Sequence, residues 1–286
     1  MAMLAGLGEL VCAEALTYPG VKAIAAQLGI RLHPLPMDAE GIEAHAFEAA
    51  CRKLRPKALY CNPTLLNPTT AVISEARRAA LADISLRYSV PIIEDDPYGM
   101  LPSRAPAPLA VLAPDLAYYV TGLAKCVGAG LRVAYLVAPD VRRVKLASSA
   151  LRSTTVMVSP VTAAFATHWI NDGTAEAMLL ATRRESMERQ KIAAGLLPHG
   201  ALQTHPEAFH IWLLLPHPWS RIEFAAHLRL RGVGVVAADA FATDGNPPQA
   251  VRICLGGAAD RAECRHALEV IHDTLAQSPA VASPAM

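Results

Sequence analysis

Short apolar, β-branched runs that alternate with helical patterns constrain this chain more than any other feature in it. ELVCAE (9–14), KALYCN (57–62), VPIIEDD (90–96), LAYYVTG (116–122) and RVAYLVAP (132–139) read as strands. Between them, SEARRAALADISLRY (74–88) puts Leu81, Ile84 and Tyr88 on one helical face, with Ser74 as its N-cap. Strands apolar along their whole length are buried on both faces. Separated by helices, they make a mostly parallel α/β sheet sandwiched by helices. The core this needs is available, because 53% of the 286 residues are hydrophobic and only 18% are charged. Ligands of such sheets collect beyond the carboxyl ends of the strands. Asp95, Tyr98 and Lys125 all fall there.

The texture changes near Ser159. The stretch 159–197 is helical, with Gly173 as a break and Thr174 as the expected N-cap of a long second helix. Beyond it, AFHIWLLLP (208–216), GVGVVAAD (232–239) and AVRICLG (250–256) read as strands, and 219–231 and 260–277 as helices. The expected division is a large unit over 1–172 and a smaller C-terminal α+β unit over 173–286 that includes the connecting helix. The tail SPAVASPAM (278–286) reads as frayed.

Several function classes are excluded on composition and motif. A formal net charge of +1 gives no electrostatic footprint for nucleic acid or an acidic membrane surface. No run reaches the about 18 apolar residues of a spanning helix. The start lacks a basic leader and meets Glu9 and Glu14 early, so it reads as a helix end and a buried strand. Six cysteines without a CxxC pair suit a reducing cytoplasm and no structural zinc. His205, His210 and His217 sit near one another but without HxxxH or HExxH spacing, so no metal is expected. No G-x-S-x-G elbow, Walker loop or GxGxxG follows a strand. RRESMERQK (183–191) mixes charge signs as a solvated helix face does.

Three stretches carry chemistry when taken together. LLNPTT holds Asn67 in a turn that Pro68 rigidifies; IIEDDPYGM ends a strand with Asp95, then Tyr98; GLAKCVGAGLR holds Lys125 and Arg132. Each alone has an ordinary structural explanation: a turn, a cap, a solvated lysine. Jointly they match the needs of pyridoxal phosphate, which requires an amine for a Schiff base, a carboxylate at its ring nitrogen, donors for its phenolic oxygen and a cation for its phosphate. Lys125 can supply the amine, Asp95 the carboxylate, Asn67 and Tyr98 the donors, and Arg132 the cation.

The order NPT … DDPYG … K … GLR resembles the class I/II aminotransferases of fold type I. The lysine segment YVTGLAKCVGAGLRVAYLVAP is most similar to the aminotransferase-like domain of MocR-type members of the GntR regulator family. The resemblance runs from about Ala5 to Leu275 and implies the large domain of a fold type I pyridoxal-phosphate-dependent transferase. It also implies that Tyr18, in TYPG, stacks on the cofactor ring and that Arg252, in AVRICLG, holds the substrate carboxylate. A homodimer and an amino acid/2-oxo acid substrate pair follow from the same likeness.

Departures from the family pattern concentrate on the phosphate cup. Gly122 and Ala124 stand where the family has hydroxyls, with Thr121 as a replacement only if the turn shifts. Thr70 stands where the family's turn has glycine, which restricts any positive φ. Measured against the family, the chain is expected to be truncated at its N-terminus. It would lack a substrate arm, a central strand, a glycine-rich phosphate turn and the regulators' winged helix that contacts DNA. A misplaced start codon, a shortened gene or a piece of a split protein would each give this. An unpaired strand slot predicts poor solubility or compensating association.

Two functions of different class follow. One is an aminotransferase in which Lys125 forms the Schiff base and then acts as the base, with Arg252 gripping the substrate carboxylate. The other is a cofactor-binding effector domain of a MocR-type regulator with vestigial catalysis, making no DNA contact itself; a non-functional remnant is the bland third. Fold ancestry does not separate them.

Overall fold

The computed structural model describes residues 1–277 of the chain, so the tail read as frayed lies outside the described residues. In chain order the first part contains β1 (Leu10–Glu14), α1 (Pro19–Leu28), β2 (Arg31–Leu35), the hairpin β3 (Met37–Asp38) and β4 (Gly41–Ile42), and α2 (Ala44–Leu54). Then come β5 (Ala58–Cys61), α3 (Glu75–Tyr88), β6 (Ile92–Asp95), α4 (Leu109–Leu112), β7 (Ala117–Gly122) and β8 (Ala134–Val137). Three helices follow: α5 (Val141–Thr154), α6 (Pro160–Asn171) and α7 (Thr174–Leu196). The last part holds β9 (Leu202–Gln203), β10 (His210–Leu214), α8 (Arg221–Leu230), β11 (Val236–Ala237), β12 (Ala250–Cys254) and α9 (Arg261–Leu275).

The large sheet runs β2-β1-β5-β6-β7-β8, parallel throughout except for β8, which is antiparallel to β7. Alternation along the strands separates two cores. Cys12, Leu59 and Ile92 meet Phe47 of α2 and Leu81 of α3, while Val11, Tyr60 and Ile93 meet Val21 and Ala25 of α1. Helix α1 starts with Pro19 in its first turn and stops at Gly29, whose φ of 63° is the left-handed conformation glycine tolerates best. Helix α3 begins where expected: Ser74 Oγ accepts from the Arg77 amide at 3.3 Å.

The second sheet, β11-β12-β10-β9, is antiparallel and buries Leu213 and Val251 against α7, α8 and α9 through residues such as Ala193, Phe224 and Leu268. The segment after β11 bonds to the first part of the chain through backbone and side-chain contacts. The Thr17 amide donates to the Phe241 carbonyl at 3.0 Å, and Lys22 Nζ to the Ala240 carbonyl at 2.9 Å.

Three expectations are corrected. The large sheet has no empty slot at its centre, because β1 and β5 pair directly, Val11 opposite Ala58; the outer strands are β2 and β8. The run 232–239 forms only the two-residue β11, since Gly232, at φ 81°, and Gly234 break the ladder. Helix α7 is capped by Gly173 at φ 84°, with Asp172 Oδ1 accepting from the Thr174 amide at 2.9 Å, so Thr174 is its first residue and not its N-cap.

Candidate active site

Four parallel strands, β1, β5, β6 and β7, deliver their carboxyl ends to one edge of the large sheet, and each is followed by a residue singled out above. Tyr18 follows β1, Asn67 lies in the loop after β5, Asp95 ends β6 with Tyr98 three residues on, and Lys125 closes a single 3-10 turn, Leu123–Lys125, after β7.

The three consecutive carboxylates of IIEDD have three different fates, set by strand alternation. Glu94 points into the core with Arg78; its oxygens accept the Leu109 and Ala110 amides at 2.8 and 2.9 Å, and burial lifts its pKa to about 7. Asp96 is buried beneath Tyr119, whose hydroxyl lies 3.3 Å from it. Asp95, half-buried, turns to the opposite face, where Tyr60 Oη donates to its Oδ2 at 2.6 Å. Among the described residues no group bonds Asp95 Oδ1. Burial raises the Asp95 pKa and the Tyr60 hydrogen bond lowers it.

Lys125 Nζ lies 6.0 Å from the Tyr98 ring centroid and 6.0 Å from that of Phe209, just before β10. Tyr98 is buried against Phe209 and His210, with ring centroids 5.6 Å away in both cases. Desolvation raises its phenol pKa, Arg252 pulls it down, and Cys254, Asp95 and Tyr18 add to the rise. His210 is neutral at pH 7, because burial lowers its pKa to about 4, and its Nε2 sits 3.3 Å from the Leu66 carbonyl. That contact ties the second sheet to the Asn67 turn.

Arg252 and Asn67 meet across the two units: Arg252 Nη1 donates to Asn67 Oδ1 at 2.9 Å. The guanidinium lies over the Phe241 ring, 5.4 Å from its centroid, and its Nε is buried with no partner among the described residues. Tyr18 is 45% exposed, and its ring covers Gly20 so closely that a Cβ there would fall 2.2 Å from Tyr18 Cε1. The glycine of TYPG therefore leaves room for the ring that precedes it.

The phosphate end is less furnished. Arg132 is exposed and adopts the left-handed backbone conformation, φ 51°, at the end of a 3-10 turn. Thr121 does not take over the missing hydroxyl, since its Oγ1 donates to the Asp96 carbonyl at 3.1 Å. Thr70 does adopt a positive φ, 64°, which corrects the restriction expected of it: the turn closes with Thr70 N–H on the Leu66 carbonyl at 2.7 Å and holds the residue there. Lys125 is thus brought near Tyr98, and Arg252 onto Asn67, with Asp95 and Tyr18 at the carboxyl ends of β6 and β1, while Arg132 is exposed. Sequence reasoning missed Tyr60, Asn62, Phe209 and His210. Strand alternation could have placed Tyr60 on the face of Asp95, but nothing local marks Phe209 and His210, which arrive from a distant strand.

These residues fit pyridoxal phosphate at its ring and substrate ends. An unbonded carboxylate oxygen, a buried guanidinium nitrogen without a partner and a lysine facing an aromatic wall converge there.

The architecture is that of the fold type I aminotransferases. A kynurenine aminotransferase from Pyrococcus horikoshii superposes with a TM-score of 0.87 at 20% identity, covering 96% of this chain and 70% of that one. LysN, an α-aminoadipate aminotransferase from Thermus thermophilus, does so at 0.86 and 21%, covering 96% and 72%. In sequence, residues 1–271 match the family Aminotransferase class I and II, and the chain belongs to that family. An uncharacterized HTH-type transcriptional regulator of Bacillus subtilis, YdeF, is 29% identical over 254 residues, 88% of this chain and 55% of that protein. The aminotransferase swnA of Metarhizium robertsii is 36% identical over 106 residues, 35% of this chain and 21% of that one. The chain thus spans about half the length of that regulator, in line with the likeness of its lysine segment to regulator domains.

Proposed function

We propose that this chain is the aminotransferase part of a pyridoxal-phosphate-dependent protein that moves an amino group between an amino acid and a 2-oxo acid. The observation that carries the reading is Arg252: a half-buried guanidinium whose buried Nε has no partner among the described residues and whose Nη1 is held by Asn67. A buried cationic donor left unsatisfied is costly unless an anion completes it, and a substrate carboxylate matches its planar fork. When bound, pyridoxal phosphate supplies the electron sink that acidifies the substrate Cα–H. Lys125 is the amine for its covalent attachment, and Lys125 Nζ then carries the proton to and from the substrate Cα. Asp95 Oδ1 would hold the cofactor's ring nitrogen in its protonated form. Asn67 and Tyr98 would donate to its phenolic oxygen, Tyr18 would cover its ring and Arg132 would supply a cation for its phosphate. The Phe209 and Tyr98 rings flank Lys125 Nζ at 6.0 Å. The division into units 1–172 and 173–286, a homodimer and a cytoplasmic location belong to this proposal.

A second reading, a cofactor-binding effector domain of a MocR-type regulator, is favoured by the match to YdeF over 88% of this chain. One assay separates them: cofactor-loaded protein is given a panel of amino acids and 2-oxo acids, and product 2-oxo acid is measured. Transfer that disappears in Lys125→Ala supports the enzyme. Tight cofactor uptake without transfer supports the effector.

A further inference from the structure

Asp95 is held from two sides, by Tyr60 of β5 and by Asn62 just after it. Tyr60 Oη donates to its side chain and Asn62 Nδ2 donates to its backbone carbonyl, both at 2.6 Å. Asn62 is itself clamped: its amide donates to Glu14 Oε1 at 2.6 Å, and its Oδ1 accepts from the Asn67 amide at 2.9 Å. Glu14 also accepts from Thr17 Oγ1 at 2.7 Å, one residue before Tyr18. The Tyr60 ring is buried among Val11, Ala13 and Ile93, so its hydroxyl is delivered to a fixed point. A phenylalanine would fill the same core, and the hydroxyl is therefore there for Asp95.

Resting on the cofactor reading above, we propose that Tyr60 is a positioning residue for Asp95: by donating to Oδ2 it fixes the carboxylate, keeps it ionised and leaves Oδ1 for the cofactor ring nitrogen. A phenol donating to a carboxylate stabilises its charged form, so removing the hydroxyl makes Asp95 easier to protonate. The titratable groups facing Asp95 are Glu14 from β1, Tyr60 from β5, and Asp96 and Tyr98 from its own segment. Tyr60→Phe leaves all of these but the phenol.

The test reads Asp95 directly. Carboxyl carbon NMR of 13C-aspartate-labelled protein, with the Asp95 signal assigned by Asp95→Asn, is followed against pH without cofactor. The Asp95 midpoint is expected to rise by about one pH unit in Tyr60→Phe, with an unchanged circular dichroism spectrum. Replacing Tyr60 by 3-fluorotyrosine, a stronger donor that retains the ring, should lower the midpoint; it provides the readout if the phenylalanine variant does not fold. With 15N-labelled pyridoxal phosphate bound, the ring nitrogen of Tyr60→Phe should shift toward its unprotonated position. An Asp95 midpoint that neither variant moves would overturn the role of Tyr60, even where the wild type takes up cofactor. Failure of the wild type to take up cofactor would instead overturn the function proposed above, while the cofactor-free titration still decides whether Tyr60 sets the charge of Asp95.

Discussion

At the scale of single residues, burial decides which carboxylates keep their protons. Glu14 is fully buried at the end of β1, and desolvation lifts its pKa to about 7, against the hydrogen bonds from Asn62 and Thr17 that lower it; Asp95 nearby adds to the rise. A group whose folded pKa lies above its unfolded value binds more protons when folded. Its stabilising contribution is therefore fully present below about 4.5 and lost as pH rises through about 7. Glu14→Gln, which keeps an acceptor for the Asn62 amide, removes that titration. Urea unfolding at pH 5 and pH 8 should show the variant gaining on the wild type with rising pH, by on the order of 1–3 kcal/mol. Parallel profiles would contradict it. Asp95 was legible as a carboxylate at a strand end suited to a ring nitrogen. What sets it apart physically is the hydroxyl of Tyr60, thirty-five residues away in sequence.

At the scale of elements, the outer strand β8 is the least protected part of the fold. All four of its residues are exposed, Val137 by 59%, and β8 ends the large sheet with its outer backbone groups unpaired by any described strand. Helix α5, which follows, buries only Ala147 and leaves Val141, Leu146 and Leu151 in solvent, Val141 by 70%. An unpaired strand edge with exposed apolar side chains, beside a helix that also leaves apolar side chains in solvent, is a template for association. Light scattering should therefore show the average mass of the wild type rising with concentration, and Leu136→Lys with Val137→Lys should suppress the rise. A wild type that stays monomeric at tens of micromolar would refute this. The sequence pattern foretold an exposed edge but put it at the sheet centre. Periodicity marks a strand without saying which neighbour it pairs with, and that order is fixed by crossovers between distant segments. β2, α1 and α2 were not read as elements, whereas α3 was placed by its Ser74 cap and by Leu81 and Ile84.

For the whole molecule, the two units are joined at the points where the chemistry sits. Arg252 reaches Asn67, His210 reaches the Leu66 carbonyl, and Phe209 walls in Lys125. The α/β class was legible in the sequence, and so were the motifs holding Lys125, Asp95, Tyr98 and Asn67, because each motif follows its own strand. The assembly of those motifs with residues of β10 and β12 was not, because no local signal encodes which sheet face a distant strand will meet. Arg132 is the exception among the motif residues: its place after Lys125 suggested a phosphate grip, and the structure leaves it exposed, with a left-handed backbone. The central claim is that Lys125 is the attachment point for pyridoxal phosphate. It is tested most directly by incubating the chain with the cofactor, reducing with borohydride and mapping the modified peptide. The account predicts one pyridoxyl group, on the peptide containing Lys125, absent from Lys125→Ala. No specific adduct, or equal labelling of the alanine variant, would contradict it.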